Sequence, residues 1–241
     1  MLGYLTRGVS AGAVAGVAYG LFTAVVVGPL IAAVDHAGHD HGHHAADAAA
    51  VAEPITTLVS VGGGLVWAIF LGGLFGLALF VLEPALPGGR SNRQYVLAGC
   101  GFLTVSAIPW LVLPPATPAS QHLYGVDARL AIYAGLVGVG AVVSAAAVAG
   151  YRRMAPRHRL LGVATGLAPV VGAGVVLPAI TPTVVAHPGL STEFVAAYQA
   201  TVVLGQAGIW FLIAVTFGWL QRRTAPSKVA GATEPTPAES A

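Results

Sequence analysis

The sequence predicts an all-α fold: a polytopic membrane helix bundle of six transmembrane helices with both termini on the cytoplasmic side. Three observations carry this reading. The 241 residues are 56% hydrophobic and 8% charged, with a mean hydropathy of +0.79, whereas a soluble domain carries roughly 25% charged residues. Six segments lack Asp, Glu, Lys, Arg and His over lengths that meet the ~20 apolar residues a spanning helix needs. The basic residues then sort to one side of an alternating six-pass path.

The expected spans, in order, are 8–34, 57–82, 95–113, 130–151, 160–180 and 196–220, which together form a transmembrane domain over residues 1–224. The runs are continuously apolar and do not alternate, which argues against a β-barrel. The first uncharged run, residues 8–34, exceeds the apolar core of about 7–15 residues in a secretory signal, so it is expected to stay as an anchor. Gly8, Gly12, Gly16 and Gly20 recur every four residues in this span, on one helix ridge, and invite close helix packing. Gly72 and Gly76 repeat the spacing in the second span, and Gly162 and Gly166 in the fifth. Residues 225–241, rich in Ala, Pro, Ser, Thr and Glu, read as a disordered cytoplasmic tail.

Arg7, Arg90, Arg93, Arg152, Arg153, Arg157, Arg159, Arg222, Arg223 and Lys228 all fall on one side of this topology, and only Arg129 falls on the other. Positive loops stay cytoplasmic, so loops 35–54, 114–129 and 187–193 are expected to face outward. Seven of the eight histidines then lie outside, and His158 lies inside among arginines. The single cysteine, Cys100, excludes an internal disulfide and a Cys₄ metal site and reads as an inert thiol.

The outward loop 35–54 holds the richest chemistry. Asp35, His36, His39, Asp40, His41, His43 and His44 place five imidazoles and two carboxylates within ten residues. Neutral imidazole is the commonest protein ligand for Zn, Cu, Ni and Co-like ions. Exposed histidines titrate near pH 6.5, so most are ready to bind at neutral pH. Gly38 and Gly42 leave the backbone free to fold round an ion. Such a tract binds several ions loosely and exchanges them quickly, because selectivity needs a fixed geometry. The competing reading is a solvated low-complexity loop without a role. His122, Asp127, His187 and Glu193 are expected to form a shallow second metal site on the same face, although each alone is an ordinary solvated loop residue.

Two proline-rich segments lead to that face. The third span ends in Pro109-Trp110 and then Pro114-Pro115, and the fifth in Pro178 and Pro182. Proline removes a backbone donor and breaks or kinks a helix. The plain reading is helix termination. The sharper one is a broken backbone whose freed carbonyls line a cation path, with Pro109, Trp110, Pro114, Pro115, Arg129 and Gln206 along it. The only lysine lies in the tail, so the chain has no phosphate-binding G-x-x-x-x-G-K-[ST] loop, and it has no H-E-x-x-H. No catalytic residues, organic cofactor or nucleic-acid partner are expected; the lipid bilayer is the expected surrounding.

The segment Ala107-Ile108-Pro109-Trp110-Leu111, the turn Pro114-Pro115-Ala116-Thr117-Pro118 and the run Asp127-Ala128-Arg129-Leu130-Ala131-Ile132-Tyr133 resemble the CbtA family of predicted cobalt transporter subunits. In the sixth span, Gln206, Trp210, Phe217 and Gly218 resemble that family's closing helix. The likeness covers most of the chain. It implies a cobalt-uptake membrane permease or subunit of one, linked to cobalamin synthesis and working beside a small histidine-bearing CbtB-like partner. The chain departs from the family pattern in its proline turn, where Leu111–Leu113 and Ala116-Thr117 replace the usual lysine and asparagine. The substrate expected is a divalent ion, Co²⁺ ahead of Ni²⁺ or Zn²⁺. The alternatives are a membrane receptor or chaperone that hands Ni, Co or Zn to another permease, and a structural membrane protein without transport activity. A homo-oligomer is compatible with all three.

Overall fold

The computed structural model describes residues 1–31, 46–89, 91–117, 120–181, 185–186 and 190–224, without the side chains of 46–60, 122 and 186. The histidine tract 35–44, His187 and the tail 225–241 lie outside the described residues. Among the described residues there are six helical segments. Helix α1 runs over Leu2–Ile31 and includes a π-helical stretch at Thr23–Val27. Helix α2 spans Ala46–Leu82, and α3 spans residues 93–110 with a second π stretch at Leu103–Ala107. Helices α4, α5 and α6 span Val126–Met154, Arg159–Ile180 and Thr192–Arg223. Five of these are long and apolar enough to cross a membrane. The other, α3, is the shortest.

The second helix begins earlier than expected. Residues 46–54, predicted as part of the outward loop, are the first turns of α2. Their composition explains it: residues 46, 48, 49, 50 and 52 are alanine, the strongest helix former. The 37 residues of α2 reach about 55 Å at 1.5 Å per residue, well beyond a hydrocarbon core of about 30 Å. Asp127 and Glu193, also predicted in loops, lie in the first turns of α4 and α6. The fold is all-α as expected, apart from one short pairing in which strand β1 (Gln121–His122) lies antiparallel to strand β2 (Val185–Ala186).

Helix α1 packs against both α2 and α6, α6 against α3, α3 against α4, and α4 against α5. The α1–α2 contact is built from the four-residue glycine spacing. A Cβ at Gly8, Gly12, Gly72 or Gly76 would strike the backbone carbonyl of Gly72, Ala68, Gly8 or Tyr4 respectively. The two backbones therefore touch, as small residues permit between helices in lipid. In α5, Gly162 lies tight against Ala155, just past the end of α4, while Gly166 meets the Ala147 carbonyl of α4 more loosely, a Cβ there coming to 3.3 Å. The main core joins α1, α2, α3 and α6 through Ala11, Ala15, Phe75, Leu97, Ile213 and Phe217, with Phe75 and Phe217 edge to face at 5.6 Å.

Contacts at one end of the bundle fix the direction of each helix. The Tyr4 hydroxyl donates to Glu83 Oε2 at 2.7 Å, and Arg93 pairs with Glu83 Oε1 at 3.4 Å. Arg152 donates to the Ala85 carbonyl at 2.8 Å, and Gly218 lies against Gln94. The start of α1, the end of α2, the start of α3 and the ends of α4 and α6 therefore meet. Successive helices alternate in direction, and Arg7, Arg93, Arg152, Arg153, Arg222 and Arg223 collect at this basic end. Arg129, Asp127 and Glu193 occupy the opposite end. Arg90 and Lys228 lie outside the described residues.

Candidate functional site

Among the described residues, two separate cavities lie at the opposite end. The first, of about 320 Å³, is lined by Trp110, Pro114, Pro115, Arg129, Tyr133 and Val185 among others. Its roof forms because the β1–β2 pairing ties the loop after α3 to the loop after α5, with His122 opposite Val185. The Gln199 amide of α6 reaches the Pro115 carbonyl at 3.5 Å. Most of the residues expected along a path thus do come together here.

The backbone of α3 below this cavity has a specific repair. Pro109 has no N–H to offer the carbonyl four residues back, Val105. The Tyr133 hydroxyl of α4 donates to that carbonyl at 2.9 Å instead. One turn earlier, Ser144 donates to the Cys100 carbonyl at 3.2 Å and shares a hydrogen bond with Thr104 at 3.1 Å. Thr104 and Val105 lie within the π stretch at Leu103–Ala107, and Cys100 lies three residues before it. The carbonyl that Pro109 leaves free, Val105, is thus satisfied from α4. In α5, Pro178 does not stop the helix, which continues to Ile180; Pro182 lies outside the described residues.

The second cavity, of about 400 Å³, lies on the far side of the bundle between α1, α2 and α6. Tyr19, Thr23, Ile31, Tyr198, Thr201 and Gln206 are among its walls. Gln206 is thereby separated from the rest of the expected path. Thr23 opens the π stretch of α1, and its hydroxyl is buried without a hydrogen-bond partner. π stretches inside α-helices recur at functional sites. Thr23 is the only hydroxyl residue between Gly20 and Val34; that isolation is the signal by which the sequence could have marked it. Tyr19 and Tyr198 carry no such mark. Towards the basic end the cavity is closed by the packed core, where Ala15, Ala68 and Ile213 are fully buried.

The two cavities differ in what they would accept. Arg129 puts a fixed positive charge in the first, and Coulomb repulsion rises steeply where water is excluded. Among the described residues, none of those lining the second is basic. Its volume leaves room for a cation with water around it, since one water occupies about 30 Å³.

Of the expected shallow metal site, Asp127 and Glu193 are exposed on first helical turns. There, a carboxylate favourably meets the helix dipole, a role that needs no metal. Ser191 caps the same turn of α6 by accepting from the Phe194 N–H at 3.2 Å. His122 is placed by its backbone alone, and His187 lies outside the described residues one position beyond β2. Among the described residues, no three His, Cys, Asp or Glu side chains converge, and no ion pair joins Arg129 to Asp127 or Glu193.

A family model described as "Probable cobalt transporter subunit (CbtA)" matches residues 2–222. No curated protein matches the chain, and no solved structure does.

Proposed function

The chain belongs to the CbtA family of probable cobalt transporter subunits, and on that premise we propose that it collects and admits a divalent metal ion, cobalt, at its histidine-bearing end. In this reading all six helices span the cytoplasmic membrane. The basic end faces the cytoplasm, as the excess of arginine there favours. The tract Asp35–His44 faces outward, gathers Co²⁺ and raises its concentration at the bundle surface.

One observation directs the path. Ile31, four residues before Asp35, lines the cavity that also holds Thr23, Tyr198 and Gln206. Because the tract follows Ile31 in sequence, we take this cavity, and not the one beside Arg129, as the entry for the ion. The hydroxyls and the amide give a hydrated cation partial, exchangeable oxygen ligands. Glu83, the one carboxylate at the basic end among the described residues, is the natural exit contact.

The buried core beneath the cavity supports a second reading. A closed floor suits a receptor that delivers ions to a partner subunit as well as it suits one state of a permease. Cobalt accumulation in proteoliposomes that contain only this chain separates them: accumulation supports the permease, and its absence with retained binding supports delivery. Deleting residues 35–44 is expected to raise the cobalt concentration for half-maximal uptake about tenfold without lowering the maximal rate. Unchanged uptake at limiting cobalt would exclude a collecting role for the tract. Thr23→Val combined with Gln206→Leu is expected to lower the maximal rate instead.

A further inference from the structure

A third cavity, of about 510 Å³, lies between α2, α3 and α4 in the basic half of the bundle. Its walls are nearly all hydrocarbon. The hydroxyls on it, Thr104 and Ser144, are already bonded to each other and to the Cys100 carbonyl, so it presents no unmet polar group to an occupant. Leu82 on α2 and Ala141, Ala145 and Ala149 on α4 line it and are also exposed at the perimeter of the bundle. The cleft therefore opens sideways, towards lipid. Arg152 lies at its basic end. One guanidinium N–H holds the Ala85 carbonyl, and among the described residues no carboxylate pairs with Arg152. Glu83 nearby is engaged by Arg93 and Tyr4.

We propose that this cleft binds an anionic phospholipid, with one acyl chain between α2 and α4 and the phosphate on Arg152. The chemistry of the walls selects a hydrocarbon chain, and the unpaired guanidinium at the mouth selects a net negative headgroup. A transmembrane helix fits less well. At 10–12 Å diameter and 5.4 Å pitch, a helix takes roughly 400–600 Å³ per turn, so the cleft would house about one turn. An acyl chain is narrow and flexible enough to fill it.

Cys100 lines this cleft and is the only cysteine in the chain, so its alkylation reports access to the cleft. The purified full chain in detergent is treated with N-ethylmaleimide alone, with phosphatidylglycerol, or with phosphatidylcholine of the same acyl composition. Phosphatidylglycerol is expected to slow alkylation at least fivefold and phosphatidylcholine less than twofold. Arg152→Gln is expected to abolish that protection. Arg223→Gln, at the same end but stacked on Trp219 at 4.0 Å, is expected to keep it. Native mass spectrometry of the unmutated chain, expected to show one retained phosphatidylglycerol, makes the test independent of how the variants fold. Equal protection by both lipids, or protection that survives Arg152→Gln, would overturn the assignment. So would protection that follows protein concentration and not lipid, which would put a second copy there. A thiol that stays unreactive after delipidation would mean a closed cleft and would overturn it equally.

Discussion

Helices α1 and α2 meet backbone to backbone along a row of four glycines, whereas α3 and α4 have one such approach, Gly140 against the Thr104 backbone, and otherwise meet through side chains. In the first contact the glycines leave no freedom: carbonyls of one helix rest where a Cβ of the other would have to be. In the second, Tyr133, Ser144 and Thr104 stitch together a helix interrupted by a π stretch and a proline, and a cleft opens beside it. The difference separates a seam that holds the bundle from a contact that can rearrange. Lipid offers helices no hydrophobic reason to associate, so close packing and interhelical hydrogen bonds must supply the attraction. Close packing is unforgiving and fixes one geometry. Hydrogen bonds to a defective backbone have alternatives.

Substitution in the seam should have the largest effect. Gly12→Leu would drive its side chain into the Ala68 carbonyl and to within 2.9 Å of the Ile69 Cα. Backbone cannot yield as a side-chain tip does, so the cost should reach about 3 kcal/mol or more, a fall of about 10 °C in melting temperature for a chain of this size. Thermal unfolding in detergent measures it. An unchanged melting temperature would mean that the seam is not what holds α1 to α2.

Tyr133→Phe should come next. It strands the Val105 carbonyl that Pro109 cannot serve, at a cost of about 1 kcal/mol, or roughly 3 °C. The sharper form is a double-mutant cycle. With Pro109→Ala restoring a backbone N–H, Tyr133→Phe should cost less than half as much. Equal costs in both backgrounds would show that the hydroxyl does not stand in for the missing donor. Gly174→Ala should have the smallest effect. A Cβ there meets nothing within 4 Å, so stability should stay within about 1 kcal/mol of the unmutated chain. A seam-sized loss at Gly174 would erase the contrast between packed and open glycines.

Some of the site was legible before any coordinates. The proline turn, Trp110 and Arg129 do gather, because they lie on or beside the one connection between α3 and α4. Gln206 does not join them, since nothing in a single helix says which neighbour its amide faces. The repair of Val105 by Tyr133 was hidden for the same reason. The early start of α2 could have been read from the alanines at 46–52, which the adjacent histidines obscured.

Taken alone, the sequence determined the rough limits of the long apolar helices, the gathering of arginines at one end and the small-residue ridges that become seams. Each depends on what a single residue or a fixed spacing does in lipid. Tertiary structure alone decided which helices are neighbours, where α1 and α3 shift to π geometry, and that three cavities open on different sides of the bundle. The physical reason is visible on α5, where Leu160, Val171 and Ile180 are 60–73% exposed and yet are as apolar as the core. When both lipid and protein favour the same side chains, hydrophobic pattern no longer tells the inside of a helix from its outside, and only the packed bundle does.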